Sequence, residues 1–463
     1  MNEGNSDRSF RALRSGFFGI VGTALVTAAV AGAAPAQEST AQKPAELTLS
    51  EALREIRERS TPAITAGLDL DAAREATQRA ESRYFPDVSL SVGHVNRDHE
   101  IVAVFGTLNA PTTQRDFFTA EIDATQLLWD GGRRASAVKT SQSLETATAM
   151  QGEADVRATQ LQGLGTYLQI LVAKARRHVV EQRTASLEDH LRIANDLLNH
   201  GVVARNDALE TEVRLRTVQD QASQVDNGEA VAVQALNRLL GRDPLAPLVL
   251  PAALPSPPPL PASLDDLKKR AENENQQLLA LRARLKAEEA TLAARKAENY
   301  PTVIAQLSHT YQENKYLLYP NANVLFLGVS WEAYDGGIRR SNVREAEIAA
   351  EKTEKQIVDL QHQLAIQVDQ AYRDYLQALK EATTAETNIS ASEESLRIEE
   401  DQYKSGLART TDVLDAESVL AESRFALVNQ RYNAYLKQGV LLTVTGEDLP
   451  TFFANLTPKG LEQ

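Results

Sequence analysis

Apolar residues recur every seven positions along the segment 412–444, near the C-terminal end of the chain. A second apolar column runs one position behind the first, so the stripe is two residues wide. Seven-residue spacing is the period of a coiled coil, whereas an ordinary surface helix has a period of about 3.6 residues. The wide stripe predicts a long helix with a neighbour on each side. The columns are Val413, Leu420, Leu427, Ala434 and Leu441, and Leu414, Ala421, Val428, Tyr435 and Leu442.

Shorter segments alternate apolar and polar residues one by one, a pattern typical of strands with two different faces. The first half of the chain has two such runs, at 88–93 and 118–125, and the second half has two more, at 303–308 and 325–331. A helical stretch that stops before a proline precedes each pair of strands, at 49–83 and at 264–298. The pattern therefore predicts one helix and two strands in each half. The extra ten residues of the first half are assigned to a hairpin loop near 96–115.

Proline is absent from residues 132–243 and from residues 321–449. Because proline costs about 3 kcal/mol inside a helix, both segments can be almost wholly helical. The stretches 132–200 and 337–405 have equal length and would form helices about 100 Å long. Gly201 and Gly406 follow them and suit left-handed helix caps. The chain is predicted to return from each tip in a shorter helix.

The two halves of the sequence are copies of each other. The letters WDGGRR at 129–134 return as YDGGIRR at 334–340, and GVVARNDAL at 201–209 returns as GLARTTDVL at 406–414. Asp130 and Asp335 are 205 residues apart, and so are Gly201 and Gly406. A constant offset is expected of long helices packed in register, because one inserted residue rotates all that follow by about 100°. The predicted organisation is a signal peptide (1–36), a first repeat (37–243), a Pro-rich linker (244–263), a second repeat (264–446) and a tail (447–463).

The N-terminus has the pattern of a secretory signal peptide. Three arginines, Arg8, Arg11 and Arg14, precede a small apolar segment at 16–31, and Ala34-Pro35-Ala36 fits a cleavage site. An N-terminal membrane anchor is the alternative, although the apolar core is shorter than the roughly 20 residues that span a bilayer.

Composition excludes several classes of protein. The net charge of −14 argues against nucleic-acid binding, which needs a basic surface. The chain has no cysteine, so it has no disulfide, no thiolate metal site and no cysteine for lipid attachment. The seven histidines show no metal-binding spacing, and His178, His190 and His200 are expected to be ordinary surface residues. No catalytic, cofactor or metal-binding motif appears.

Four strands cannot close a barrel or cover their own edges. A signal peptide, alternating strands and no later apolar span together indicate an outer-membrane barrel, to which three chains would contribute twelve strands. Aromatic residues at the strand ends fit the girdles of such barrels, although strands are rich in aromatics in any case. These aromatics are Tyr84, Phe85, Trp129, Tyr300, Tyr311, Tyr316, Tyr319 and Trp331. The fold prediction is a mainly α protein in which a trimeric barrel continues into a long coiled-coil tunnel.

The chain resembles the TolC family of outer-membrane efflux proteins over about residues 47–446. Its most specific part is the second tip, YKSGLARTTDVLDA at 403–416. The resemblance implies a homotrimeric channel in the outer-membrane lipid bilayer with its helices in the periplasm. It also implies a periplasmic adaptor and an inner-membrane pump of RND, ABC or MFS type as partners, in an efflux or type I secretion system.

The same resemblance implies roles for residues at the two tips. Aspartates that match Asp412 and Asp415 form the tunnel constriction in the family, although an acidic residue at a helix start is also ordinary capping chemistry. Asp207 and Tyr403 match a pair that bonds across the closed entrance. A latching arginine of the family matches Ala408 here, and Arg409 lies one residue along.

The adaptor is expected to contact the tips at Gly201, Val202, Gly406 and Leu407. Two other classes stay open at this point. A trimeric coiled-coil adhesin or structural fibre of the cell envelope would explain the helices but not the duplicated strands. A periplasmic adaptor would explain a helical hairpin but not the twofold duplication, and an enzyme fits least.

Overall fold

The computed structural model describes residues 46–260 and 262–454. The predicted signal peptide at 1–36 lies outside the described residues, and so does the end of the tail, at 455–463. Within the described part, no helix combines the length and the apolar character needed to cross a bilayer.

The chain forms nine helices and six strands within those residues. In chain order they are α1 (Leu49–Arg59), α2 (Thr61–Ser82), β1 (Asp87–Asn96), β2 (Ile101–Phe105), β3 (Leu108–Thr113), β4 (Asp116–Trp129), α3 (Arg133–Asn199), α4 (Arg205–Leu239), α5 (Leu264–Glu274), α6 (Gln276–Ala297), β5 (Thr302–Gln312), β6 (Asn321–Ser330), α7 (Ile338–Lys404), α8 (Thr410–Val444) and α9 (Leu449–Phe453).

Corresponding helices of the two repeats have the same number of residues. The long helices α3 and α7 have 67 residues each, which makes each about 100 Å long. The return helices α4 and α8 have 35 residues each. The pairs α1 and α5, and α2 and α6, also match, with 11 and 22 residues.

Each helix expected before the strands is in fact two helices. The first breaks at Ser60, whose hydroxyl accepts a hydrogen bond from the backbone N–H of Ala63 at 3.3 Å. The second breaks at Asn275, whose side-chain oxygen accepts from the N–H of Leu278 at 3.2 Å. Both residues are extended and cap the following helix, which is the preferred role of Ser and Asn. The capping residues override the continuous helical pattern.

The first half contains four strands where two were predicted. The additional strands β2 and β3 form a separate hairpin within the expected loop. The four predicted strands form one antiparallel sheet in the order β1-β4-β5-β6, so β1 and β6 are its edges. Leu90 lies opposite Ile122 and Leu307 opposite Leu325, and the β4–β5 pairing shifts register between Leu127 and Trp129.

The sheet has one apolar and one polar face. The register places Leu90, Ile122, His309 and Asn323 in one cross-strand row, and the rows around it on this face are mostly apolar. The opposite face carries Ser89, Asp123 and Ser308 in one row, and Glu121 and Thr310 in the next. Sheets of this kind separate lipid from a polar lumen.

Below the sheet the helices form a single layer. Next to the strands the order is α2-α3-α6-α7, and toward the tips it is α4-α3-α8-α7. The largest core lies between these two regions, around Leu53, Tyr167, Leu236 and Tyr435. The Pro-rich linker packs against it, because Leu250 is buried and the hydroxyl of Tyr375 donates to the carbonyl of Pro258 at 3.2 Å.

Candidate functional site

Both tips end their long helix with the same cap. At the first tip Gly201 has φ +72°, and the N–H of Val202 donates to the carbonyl of Leu197 at 2.9 Å. At the second tip Gly406 has φ +70°, and the N–H of Leu407 donates to Gln402 at 2.9 Å. This six-to-one bond is the Schellman motif, which needs a left-handed residue. Val202 and Leu407 extend into solvent beyond the caps, and Leu407 is 81% exposed.

Asp207 and Asp412 do the same work at the start of the two return helices. The Asp207 carboxylate accepts from the N–H of Ala204 at 2.9 Å, and the Asp412 carboxylate accepts from the N–H of Arg409 at 2.9 Å. A carboxylate in the first turn stabilises a helix because it satisfies a free N–H and faces the positive end of the dipole. Asp412 therefore caps α8 in this chain, and a constriction role stays a prediction.

Asp415 lies one turn further along α8 than Asp412. Both side chains are exposed, and Asp415 forms no ion pair or hydrogen bond with the part of the chain that the structure describes. Their separation of three residues keeps them on one side of the helix. The structure thus brings two carboxylates together at the outer end of α8, one used for capping and one free.

Asp207 and Tyr403 form no hydrogen bond with each other in the described chain, and the latch across the closed, assembled entrance stays a prediction. Asp207 is engaged by the backbone of its own turn. Tyr403 is buried to 3% exposure, and its hydroxyl accepts a hydrogen bond from Thr410 at 3.2 Å. The Arg409 side chain is exposed and pairs with no described carboxylate. Tyr403 is thereby hydrogen-bonded to α8 of its own half, while its ring packs in one cluster with Leu197 and Val203 of the first tip.

His190 joins the two long helices at the tip, and the expectation of a surface residue is wrong for it. Its ring lies 4.8 Å from the ring of Tyr403, centroid to centroid, and is 7% exposed. Burial lowers the pKa of His190, partly opposed by Asp189. Its Nε2 has no hydrogen-bond partner among the described residues, and a cavity of about 60 Å³ beside it is lined also by Glu400 and Lys404.

A buried ion pair between α3 and α8 also escaped the sequence analysis. Arg183 Nε lies 3.0 Å from Glu417 Oε2, and Arg183 donates to the hydroxyl of Ser418 at 3.1 Å. Burial raises the pKa of Glu417, and the nearby guanidinium acts in the opposite direction. A signal was present, because Glu417 stands inside the apolar stripe, between Leu414 and Leu420. An acid at such a position needs a buried partner.

A sheet with one apolar face, continued by a layer of helices about 100 Å long, defines the protomer of an outer-membrane channel that reaches into the periplasm. Comparison with known proteins agrees with this class. The family model described as outer membrane efflux protein matches residues 53–242 and 267–447. The chain belongs to the outer membrane efflux protein family.

Individual relatives match over most of their length. The chain is 24% identical to Protein CyaE of Bordetella pertussis, over 82% of this chain and 78% of CyaE. It is 23% identical to outer membrane protein TolC of Escherichia coli, over 82% of this chain and 79% of TolC. The crystal structure of the outer membrane protein VceC from Vibrio cholerae has the same fold, with a TM-score of 0.75 at 17% identity, covering 86% of this chain and 96% of VceC.

These findings confirm the predicted fold, the outer-membrane location with helices in the periplasm, and the function as the exit duct of an efflux or secretion system. The alternative of a coiled-coil adhesin is not supported, because the family match includes both repeats and their strands. The family and its structural neighbours are channels and not enzymes.

Proposed function

We propose that three copies of this chain assemble into one conduit. Each chain contributes the sheet β1-β4-β5-β6 to a closed twelve-stranded barrel, and the helices below it complete a tunnel. The observation that carries the proposal is the state of the sheet edges, because β1 and β6 each have one side without a strand partner in the described chain. An open edge next to an apolar face is stable neither in water nor in lipid.

Strand length and the helix edges support the same assembly. The strands β1, β5 and β6 have 10, 11 and 10 residues, close to the roughly 9–11 that a tilted strand needs to span the membrane. The edge helix α7 carries exposed apolar residues along its length, including Ile348, Val358 and Ile366. A neighbouring copy would bury them and so extend the helical layer into a ring.

The tips are proposed as the entrance and as the contact for a periplasmic adaptor, which would connect the conduit to an inner-membrane pump of RND, ABC or MFS type. The exposed Val202 and Leu407 offer apolar contacts at the far end of the tube, and Gly201 and Gly406 leave room for close approach. Asp412 and Asp415 of three chains would place six carboxylates around the entrance. Such a ring would constrict the path and concentrate cations there.

The assembly is tested by mass measurement on the full-length protein extracted from outer membranes in mild detergent. We expect a single species with three times the mass of the processed chain, and the same sample should give discrete conductance steps in planar bilayers. A stable monomer that stays soluble without detergent would contradict the proposal, because the edges of its sheet would then not need a partner.

A further inference from the structure

A cavity of about 700 Å³ lies at the corner where α2, β1 and α3 meet, just below the sheet. Its lining includes four arginines, Arg79, Arg83, Arg133 and Arg134, and the aromatic ring of Phe85. Phe85 is 73% exposed, so the cavity has both an apolar and a strongly basic side. We call this cavity the arginine corner.

Only one of the four guanidinium groups is used by the fold. Arg134 pairs with the buried Asp130 at 3.1 Å and stacks over the ring of Tyr84. The side chains of Arg79, Arg83 and Arg133 form no ion pair or hydrogen bond within the described ranges. Asp87 also lines the cavity and forms no ion pair with these three groups among the described residues. Arg79, Arg83 and Arg133 are exposed, and three positive charges beside one cavity favour an anion there.

The duplication shows that the three charges are not needed to build the corner. The second half makes the same turn, in which Arg339 pairs with Asp335 at 2.8 Å and donates to the carbonyl of Glu298, just as Arg134 donates to Arg83. Counting from the prolines Pro86 and Pro301 and from the paired aspartates, the positions equivalent to Arg79, Arg83 and Arg133 hold Ala294, Glu298 and Ile338.

We propose that the arginine corner binds a phosphate group. Guanidinium groups bind phosphate through paired, charge-assisted hydrogen bonds, and the site uses arginine at all three positions rather than lysine. Asp87 and Thr125, which line the corner, lie on the polar face of the sheet, the same face as Ser89 and Asp123. Because this face points away from lipid, the phosphate belongs to a soluble phosphorylated solute.

The first test measures binding of inorganic pyrophosphate to the full-length protein in detergent, by calorimetry at low ionic strength. The informative variant carries the residues of the second corner, Arg79→Ala with Arg83→Glu and Arg133→Ile, because the chain already folds this turn with them. A control variant with the same change in net charge replaces exposed lysines elsewhere, Lys286→Ala with Lys352→Glu and Lys355→Ala. We expect binding at least about tenfold weaker in the first variant and unchanged in the control.

The second test identifies the source of the phosphate by native mass spectrometry of protein extracted from membranes. A phospholipid that the wild type retains and the corner variant loses would contradict a soluble solute as the ligand. Pyrophosphate binding without a retained lipid would support it. If the wild type binds neither, or if both variants bind like the wild type, the proposal is wrong. Neither measurement requires the protein to conduct, so a failure of the phosphate proposal can be distinguished from a failure of the proposed conduit.

Discussion

At the scale of single residues, both tips cap the return helix with an aspartate, and the second tip carries a further aspartate, Asp415. Asp207 and Asp412 each hold the first turn of a return helix through a backbone N–H. Asp415 has no such task, because it forms no bond with the described chain. A role in ion binding and a role in helix stability can therefore be separated by comparing the three positions.

We expect Asp207→Ala and Asp412→Ala each to lower the free energy of unfolding by about 0.5–1 kcal/mol, since each removes a first-turn carboxylate. Asp415→Ala should leave stability unchanged. If Asp412 and Asp415 form the constriction, their replacement should weaken block of the channel by hexamminecobalt(III) in planar bilayers. Asp207→Ala is the matched control, because it removes the same cap without removing a ring carboxylate. Equal loss of block in all three variants would contradict the constriction.

At the scale of elements, the outer ends of α3 and α7 are joined by a contact that contains a titratable side chain. The ring of His190 on α3 packs against the ring of Tyr403 on α7 at an interplanar angle of 50°, and the cavity beside it is faced by Asp189, Glu400 and Lys404. Burial of the ring favours its neutral form, so the pKa of His190 lies below its ordinary value of 6.5. A charged imidazolium here would have to leave the contact or recruit water.

The sign of the pH dependence follows from that shift. A histidine whose pKa is lowered by folding contributes stability above the unfolded pKa, and this contribution is lost as the pH falls through the folded value. We therefore expect the tip to open more often below pH 6.5. Hydrogen exchange of segments 187–203 and 396–410, corrected for the intrinsic effect of pH, should rise in the wild type as the pH falls from 7.5 to 5.

The control for this prediction is His190→Gln, which keeps a polar side chain of similar size but does not titrate in this range. Its tip exchange should be independent of pH after the same correction. If the wild type and His190→Gln respond alike, the acid sensitivity of the tip arises from another group, such as Glu417 in its buried pair with Arg183.

At the scale of the whole molecule, the sheet and the helical layer both have edges that lack a partner within the described chain. Both present open edges, the sheet at β1 and β6 and the layer at α7, and only closure through further copies removes all of them. The alternation of the strands then decides which face meets lipid. Leu307 lies on the apolar face and Ser308 on the polar face of the central strand β5.

We expect Leu307→Arg to impair membrane insertion, because a charge on the lipid side near mid-strand costs about 2–4 kcal/mol. Ser308→Arg is the matched control, since it places the same side chain on the polar face, opposite Asp123. The amount of protein in the outer-membrane fraction and the extent of refolding into lipid vesicles measure the effect. Similar losses in both variants would show that the faces are assigned wrongly.

The parts of this fold that the sequence predicts are those fixed by local signals. The absence of proline, the glycines at 201 and 406 and the constant offset locate the long helices and their tips, because each restricts the backbone where it stands. The breaks at Ser60 and Asn275 were missed although they too are local. Their capping side chains stand within a continuous helical pattern, and only the observed turn shows that the cap was used.

The sequence by itself determined the periods, the duplication, the extent of the long helices and the two faces of the strands, since these depend on neighbours along the chain. Only the tertiary structure decided which elements lie side by side, and hence the burial of His190 against Tyr403 and the pairing of Arg183 with Glu417. It also showed that Arg134 has a partner in Asp130 while Arg79, Arg83 and Arg133 have none within the described residues. Tyr403 and Glu417 are more than 200 residues from the groups they contact, so no pattern along the chain identifies these partners.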